Sequence, residues 1–258
     1  MAISLESISR TARNSAPPRV VIHGAQKIGK TTFAAGAFNP IFIALEDGLS
    51  GLDDVAAFNG GAPLRSYEEV DQALDVLLND KHDFGTVVVD STDWLEPLIW
   101  DFTCRKNNWQ SIEQPGFGKG YVEANAVWRG FLDKLNRLRT VRGMAVILIA
   151  HSAVKRFEAP DTEAFDRYEL KMQKGALGLI VEWADAILFA QEETAIKKEA
   201  NGQNVRARGI STGRRIVNTN AKPSFIAGNR YGLPDVLDLD WNAFADALNP
   251  PGAQARAA

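Results

Sequence analysis

One nine-residue segment limits the folds open to this chain more than any other. It is Gly24 to Thr32, GAQKIGKTT, directly after the apolar run RVVIH at 19–23. The segment satisfies GxxxxGK[ST] at every fixed position, a pattern whose chemistry works only between a strand and a helix. Glycines let backbone amides turn inward around phosphates, the lysine meets the β- and γ-phosphates, and the hydroxyl after it reaches a magnesium ion. Gly24, Ala25, Gln26, Lys27, Ile28, Gly29, Lys30, Thr31 and Thr32 are therefore expected to cradle a nucleotide, with ATP and Mg2+ as cofactors. Amides at the start of the helix add a dipole that favours anions. Lys27 reads as a further charge beside the phosphates or on the surface.

A strand, loop and helix in that order ask for a parallel sheet, and the chain supplies further strands. IFIALE at 41–46, TVVVD at 86–90, MAVILIAH at 144–151 and AILFAQ at 186–191 are apolar runs of the kind buried on both faces. Helices are expected between them. TTFAAGAF at 31–38 stops at Asn39-Pro40, and Ser66 with Glu69 forms a capping box before Val70, Ala73, Leu74, Leu77 and Leu78. A short helix is expected over 93–100, an irregular loop over 104–120, and a long helix over 121–141 with Val127, Phe131, Leu135 and Leu138 inward. A polar loop over 152–173 then leads to the helix GALGLIVEWAD at 175–185. The expected fold class is α/β, with a mostly parallel central sheet and helices on both faces.

From Thr194 the pattern changes. Asn201-Gly202 is a two-residue hairpin signal between TAIKKEA and QNVRARGI, and RRIVNTN reads as a third strand, so an antiparallel extension is expected over 194–220. NRYGLP and an amphipathic helix near 241–248 follow. Residues 1–18, ending in Pro17-Pro18, read as a flexible arm, 19–248 as one domain and 249–258 as a disordered tail.

Composition narrows the function classes. At 258 residues, with 45% hydrophobic and 24% charged, the chain can bury one large core. The first 18 residues hold no apolar h-region, and MAVILIA at 144–150 is too short to span a bilayer, so a cytoplasmic protein with no membrane partner is expected. A lone cysteine, Cys104, excludes an intramolecular disulfide, and three scattered histidines give no zinc spacing, so oxygen ligands must hold any metal. The net charge of −3 is no nucleic-acid signature, yet five Lys/Arg and no acid lie between Gly202 and Ala227, and 129–142 is also basic. Such runs serve equally as binding surfaces or as solvated faces.

Mg2+ asks for a carboxylate at the end of another buried strand, and Asp90 of TVVVD supplies it, unless it only caps the following turn. Hydrolysis also needs a group that orients water. Ser91 follows Asp90, so no glutamate stands there. Glu46, at the end of the strand after the phosphate loop, is the expected base, with Asp47 and Asp93 as lesser candidates. The competing reading of Glu46 is a surface carboxylate before Gly48. His151, ending VILIAH, is either a sensor of the γ-phosphate or attacking water, or a structural histidine.

In these pieces the chain resembles the RecA/RadA-type recombinase core, and more closely the phage-encoded AAA-type nucleotide-binding proteins related to it, some of which act in single-strand annealing recombination. The resemblance covers about residues 19–235. Besides GAQKIGKTT, it rests on ALEDGLSGLD at 44–53, VVVDS as the Walker B strand, FGKGY at 117–121, LIAH at 148–151, and GNRYG at 228–232, which is similar to the KNRFG motif of RadA. The usual AAA+ glutamate after the Walker B aspartate is missing, and Gly228 stands where KNRFG has lysine, so a role resting on that lysine does not transfer.

The resemblance implies an ATPase with nucleotide between neighbouring subunits of a ring or filament, and loops lining a path for single-stranded DNA. By position, Phe117, Lys119 and Tyr121 would belong to the first loop and Lys155 and Arg156 to the second, with rings stacking on bases and cations meeting phosphates. Arg230, Lys171 or Lys174 would reach a neighbour's γ-phosphate in trans. The same resemblance implies a phage single-strand DNA-binding protein as partner and the host cytoplasm as location. Two other P-loop functions stay open on the residues alone: a nucleoside or nucleotide kinase with a lid at 152–173, and an ATP-binding regulatory or packaging module that touches no DNA.

Overall fold

Strand register organises the molecule. In a computed structural model that describes residues 16–160, 162–201 and 204–249, the phosphate-loop strand β1 (Arg19–Gly24) lies near the middle of one large sheet. The short helix α1 (Lys30–Ala35) follows it, then β2 (Pro40–Ala44), the two-residue β3 (Ala56–Ala57), α2 (Tyr67–Asn79) and β4 (Thr86–Asp90). Next come α3 (Thr92–Asn107), α4 (Lys119–Val141), β5 (Ala145–Ala159), β6 (Thr162–Leu170), α5 (Lys174–Trp183), β7 (Ala186–Asn201) and β8 (Asn204–Asn218). β9 (Gly228–Asn229), β10 (Val236–Asp238) and α6 (Trp241–Leu248) complete the order.

The sheet runs β10-β8-β7-β1-β5-β4-β2-β3. β7, β1, β5, β4, β2 and β3 are parallel, and β8 and β10 add antiparallel strands at one edge. The fold is thus the expected mixed α/β class. Successive strand residues face opposite sides, and each side is covered. Val21, Ile43, Val89 and Leu148 pack with α2, α3, α4 and α5, whereas Ile22, Phe42, Val88 and Ile149 pack with Phe33 of α1 and Phe244 of α6. No helix among the described residues is long and apolar enough to cross a membrane.

Several expectations change. The polar loop over 152–173 is instead an antiparallel hairpin, because β5 continues past His151 and pairs with β6 from Ser152↔Leu170 outward. Lys155, Phe157, Arg167 and Glu169 occupy its more covered face while Val154, Arg156 and Tyr168 face solvent, so charge and apolarity are mixed on both faces and the period of two is blurred. Across the hairpin the Phe157 and Phe165 rings meet at 5.2 Å, and the Arg167 guanidinium sits 3.9 Å over Phe157.

The helix expected over 93–100 runs on to Asn107, held by Ile99 and Thr103 facing the core, which shortens the following loop to 108–118. RRIVNTN adds no third strand, since Arg214 to Asn218 belong to β8. α1 ends at Ala35, short of the expected 38, and β2 ends at Ala44, which leaves Glu46 in the loop. The hairpin signal at 201–202 falls partly outside the described residues, but Asn201 pairs with Asn204. Most of the expected arm and nearly all of the tail also lie outside them.

His23, one residue before the phosphate loop, shows what burial demands of a polar group. Nε2 lies 2.8 Å from the Ile226 carbonyl, which only accepts, so Nε2 donates, and Nδ1 accepts from the Ser152 hydroxyl at 2.8 Å. Burial holds the ring well below its usual pKa, at about 4, despite the carbonyl's opposite pull. Because the folded pKa lies below the unfolded one, the unfolded chain binds the extra proton between the two values, and stability falls as pH drops from about 6.5 to about 4. The loss is on the order of 3 kcal/mol over that window. Denaturant titrations should therefore show wild type more stable than His23→Gln at pH 7, with the gap narrowing by pH 4.5. A gap independent of pH would mean that His23 is not held neutral.

Candidate nucleotide site

The loop between β1 and α1 is shaped by two glycines. A Cβ on Gly24 would collide with the backbone carbonyl of Ala190 on β7, so only hydrogen fits there. Gly29 caps α1 at φ +114°, where a side chain would be strained and would also meet Leu239. Lys27 likewise has a positive φ, of 61°. These constraints turn the chain so that Lys30 is buried, 5% exposed, beneath the loop.

Lys30 Nζ donates to the carbonyl oxygens of Ala25 (2.8 Å) and Gly24 (3.2 Å). Burial depresses its pKa, while the carboxylates of Asp90, Asp93 and Glu46 pull it back up. The buried amine is poorly solvated, held by two carbonyls that an anion can replace.

Asp90 ends β4, between Ala44 of β2 and Ile149 of β5. It is 3% exposed and accepts a hydrogen bond from Thr31 Oγ1 at 2.8 Å. Burial pushes its carboxyl up to about 6; the Thr31 bond opposes this, and Glu46 adds repulsion. The hydroxyl and carboxylate are hard oxygen donors, and no group of three or more His, Cys, Asp or Glu able to hold a metal occurs among the described residues. An ion that keeps several waters and borrows phosphate oxygens suits so sparse a protein donor set, which is how Mg2+ binds. Thr31 and Asp90 fit that ion.

Glu46 lies two residues beyond β2, yet the Leu45 amide donates to the Asp90 carbonyl at 2.7 Å, so the chain stays beside β4. Its Oε1 is 3.9 Å from His151 Nε2. Asp93 holds the far side of that ring: one oxygen accepts from the His151 amide at 3.0 Å, the other from Nδ1 at 2.9 Å. Burial raises the Asp93 carboxyl, but the bonds from His151 outweigh it and leave the pKa below the usual range. An ionised Asp93 requires the proton on Nδ1, which turns Nε2 toward Glu46. Asp93 is thus committed to positioning His151, and of the three carboxylates considered as bases only Glu46 and Asp47 line the cleft.

The cleft, about 380 Å3, is lined by Gln26, Lys27, Gly29, Lys30, Thr31 and Thr32 from the loop, by Glu46, Asp47 and Gly48, and by Asp90, His151 and Arg215. Loop cation, hydroxyl, buried carboxylate, candidate base and imidazole thus converge in one space. Arg215 is the member that sequence reasoning missed. It appears in the sequence only as part of a basic run, and its place depends on the pairing of β8 with β7 and of β7 with β1.

The other expected residues scatter. Phe117, between Gly116 and Gly118 and with positive φ at all three, is fully exposed, and Lys119 is exposed at the start of α4. Tyr121 packs edge-on against Trp100 and donates to Glu113 at 3.1 Å, and Lys155 donates to the Met172 carbonyl at 2.8 Å. Arg156 is exposed and 3.7 Å from Asp166. Arg230 pairs with Asp185 at 3.3 Å and donates to the Glu182 carbonyl. Asp185 sits just before β7 and bonds the amide of Arg19, so Arg230 lies at the edge of the sheet opposite the phosphate loop, roughly 20 Å away along β1. The exposed Lys171 and Lys174 are near the loop edge, where the Lys171 amide donates to the His151 carbonyl.

A family model described as an AAA domain matches residues 16–231, a span that includes every residue of the cleft. No curated protein matches the chain.

Proposed function

The chain belongs to the AAA domain family, and from that premise we propose that it is a Mg2+-dependent ATPase that couples hydrolysis in this cleft to binding of single-stranded DNA as an oligomer. The observation that carries the ATPase reading is the convergence of Lys30, Thr31, Asp90, Glu46 and His151 on one cleft. Lys30 exchanges the carbonyls of Gly24 and Ala25 for the phosphate chain. Thr31 and Asp90 would hold Mg2+, which would neutralise charge on the phosphates. Glu46 accepts the proton of the attacking water, and His151, oriented by Asp93, lies within reach of Glu46 to register the change.

The DNA half has separate support. Phe117, Lys119 and Arg156 face solvent, and the strand β5 that leads to Arg156 leaves the sheet at the phosphate-loop edge. An exposed ring with a lysine two residues on suits a flexible single strand, whose bases stack while its phosphates meet charge. The resemblance to RecA/RadA-type and phage annealing ATPases supports the same reading, together with self-association into a ring or filament, a phage single-strand DNA-binding protein as partner, and the host cytoplasm as the place of action. The kinase alternative is weakened, since Lys155 and Arg167 of the 152–170 hairpin are engaged by the Met172 carbonyl and by Glu169.

Sizing the protein alone, with a non-hydrolysable ATP analogue, and with the analogue plus a single-stranded oligonucleotide tests both halves. A larger species with nucleotide that retains the oligonucleotide, and a loss of retention of about tenfold or more in Phe117→Ala, is expected. An ATP-hydrolysing protein that neither enlarges nor retains DNA would leave the ATPase reading and remove the DNA one.

A further inference from the structure

Arg215 lines the cleft from the side of β1 that faces away from Asp90. Register puts it there. Gly24 is level with Ala190 on β7, Ala190 with Val217 on β8, and Glu192 with Arg215, so Arg215 overhangs the end of β1 where the phosphate loop begins. Residues two apart share a face, and Val217 packs in the layer of Phe33 and Ala34. Arg215 therefore stands on the α1 side of the sheet, above the loop. Its Nη1 lies 3.5 Å from the point a Cβ on Gly29 would occupy, and its carbonyl accepts from the Leu239 amide at 3.0 Å, which fixes the strand.

Neighbouring Arg214 is neutralised by Asp238 at 2.7 Å and Glu193 at 3.5 Å. Among the described residues, Arg215 forms no ion pair. A guanidinium that forms no ion pair among the described residues, beside the glycine that turns the phosphate loop, is matched to a phosphate oxygen pair, which it can bind in bidentate fashion.

We propose that Arg215 binds the phosphate chain of the nucleotide in cis, as a second cation facing Lys30 across the loop. The inference rests on the nucleotide reading above. It also gives the site two phosphate-binding cations from one chain, without a contribution from a neighbour.

Calorimetric titration with Mg2+-ADP and with a Mg2+-bound non-hydrolysable ATP analogue tests it, on wild type, Arg215→Ala, Arg215→Lys and Lys30→Ala. Arg215→Ala is expected to weaken binding about 10- to 100-fold, the loss for a charge-assisted bond, with partial recovery in Arg215→Lys. A greater loss for the triphosphate assigns the contact to the γ-phosphate, and an equal loss to the inner phosphates. Mixing Arg215→Ala with Lys30→Ala, which lends Arg215 but has no working loop, should not restore hydrolysis. Unchanged affinity in Arg215→Ala would overturn the proposal while leaving the nucleotide reading intact, and rescue in the mixture would overturn its cis character. Failure of wild type to bind either nucleotide would overturn both.

Discussion

Asp90→Asn is expected to make the nucleotide-free protein more stable while removing its Mg2+-dependent hydrolysis. The carboxyl is buried, its pKa is raised to about 6, and it accepts a hydrogen bond from the Thr31 hydroxyl. With the folded pKa above the unfolded one, the contribution of Asp90 to stability is fully present below the unfolded value and is lost as pH rises through about 6. At pH 7.5 the ionised group therefore costs stability, on the order of 1–3 kcal/mol. Asparagine keeps an acceptor for Thr31 without the charge, so thermal unfolding should shift upward by several degrees, at about 2–4 °C per kcal/mol for a domain of this size.

The advantage of the variant should shrink by pH 5, where the wild-type carboxyl is protonated. Hydrolysis should fall roughly 100-fold or more, because the anionic oxygen proposed to hold Mg2+ is gone. A variant less stable than wild type at pH 7.5 would show that the carboxylate carries no burial penalty.

Glu46→Gln should separate binding from chemistry. Glu46 is held beside Asp90 by the Leu45 amide and lies 3.9 Å from His151, but forms no ion pair with Lys30 among the described residues. Glutamine preserves shape and hydrogen bonding and cannot take a proton, so nucleotide affinity should stay within about twofold while the rate falls about 10²- to 10⁴-fold, the usual share of a general base. Single-turnover phosphate release and equilibrium titration measure the two quantities. Wild-type turnover in Glu46→Gln would move the role to Asp47, the other carboxylate of the loop that faces the cleft.

What could be read in the sequence follows from the range of the forces involved. The phosphate loop, the capping box at Ser66 and the buried runs of β1, β2, β4 and β5 are local or nearly so, and each gives a residue pattern that has few physical solutions. Glu46 and His151 were legible as strand-end polar groups because parallel strands deliver their ends to one edge. The 152–170 hairpin was not, because its half-covered face carries Lys155 and Arg167 and its solvent face Val154 and Tyr168.

Arg215 and the Asp93–His151 pair were hidden for another reason. The first depends on two successive strand registers, and the second on side chains 58 residues apart, one in the first turn of α3 and one on β5. Arg230 shows the converse: the resemblance gives it a role in trans, but nothing local in the sequence signals its pairing with Asp185, which Arg19 anchors at the edge of the sheet opposite the chain's own phosphate loop.

The most direct test of the central claim is inorganic phosphate release from ATP by the purified protein, followed as Mg2+ is titrated in and then chelated, beside Lys30→Ala under the same conditions. Release should need Mg2+, stop on chelation and be absent in Lys30→Ala. Release that persists in Lys30→Ala, or no release and no nucleotide binding by the wild type at any Mg2+ concentration, would contradict the claim.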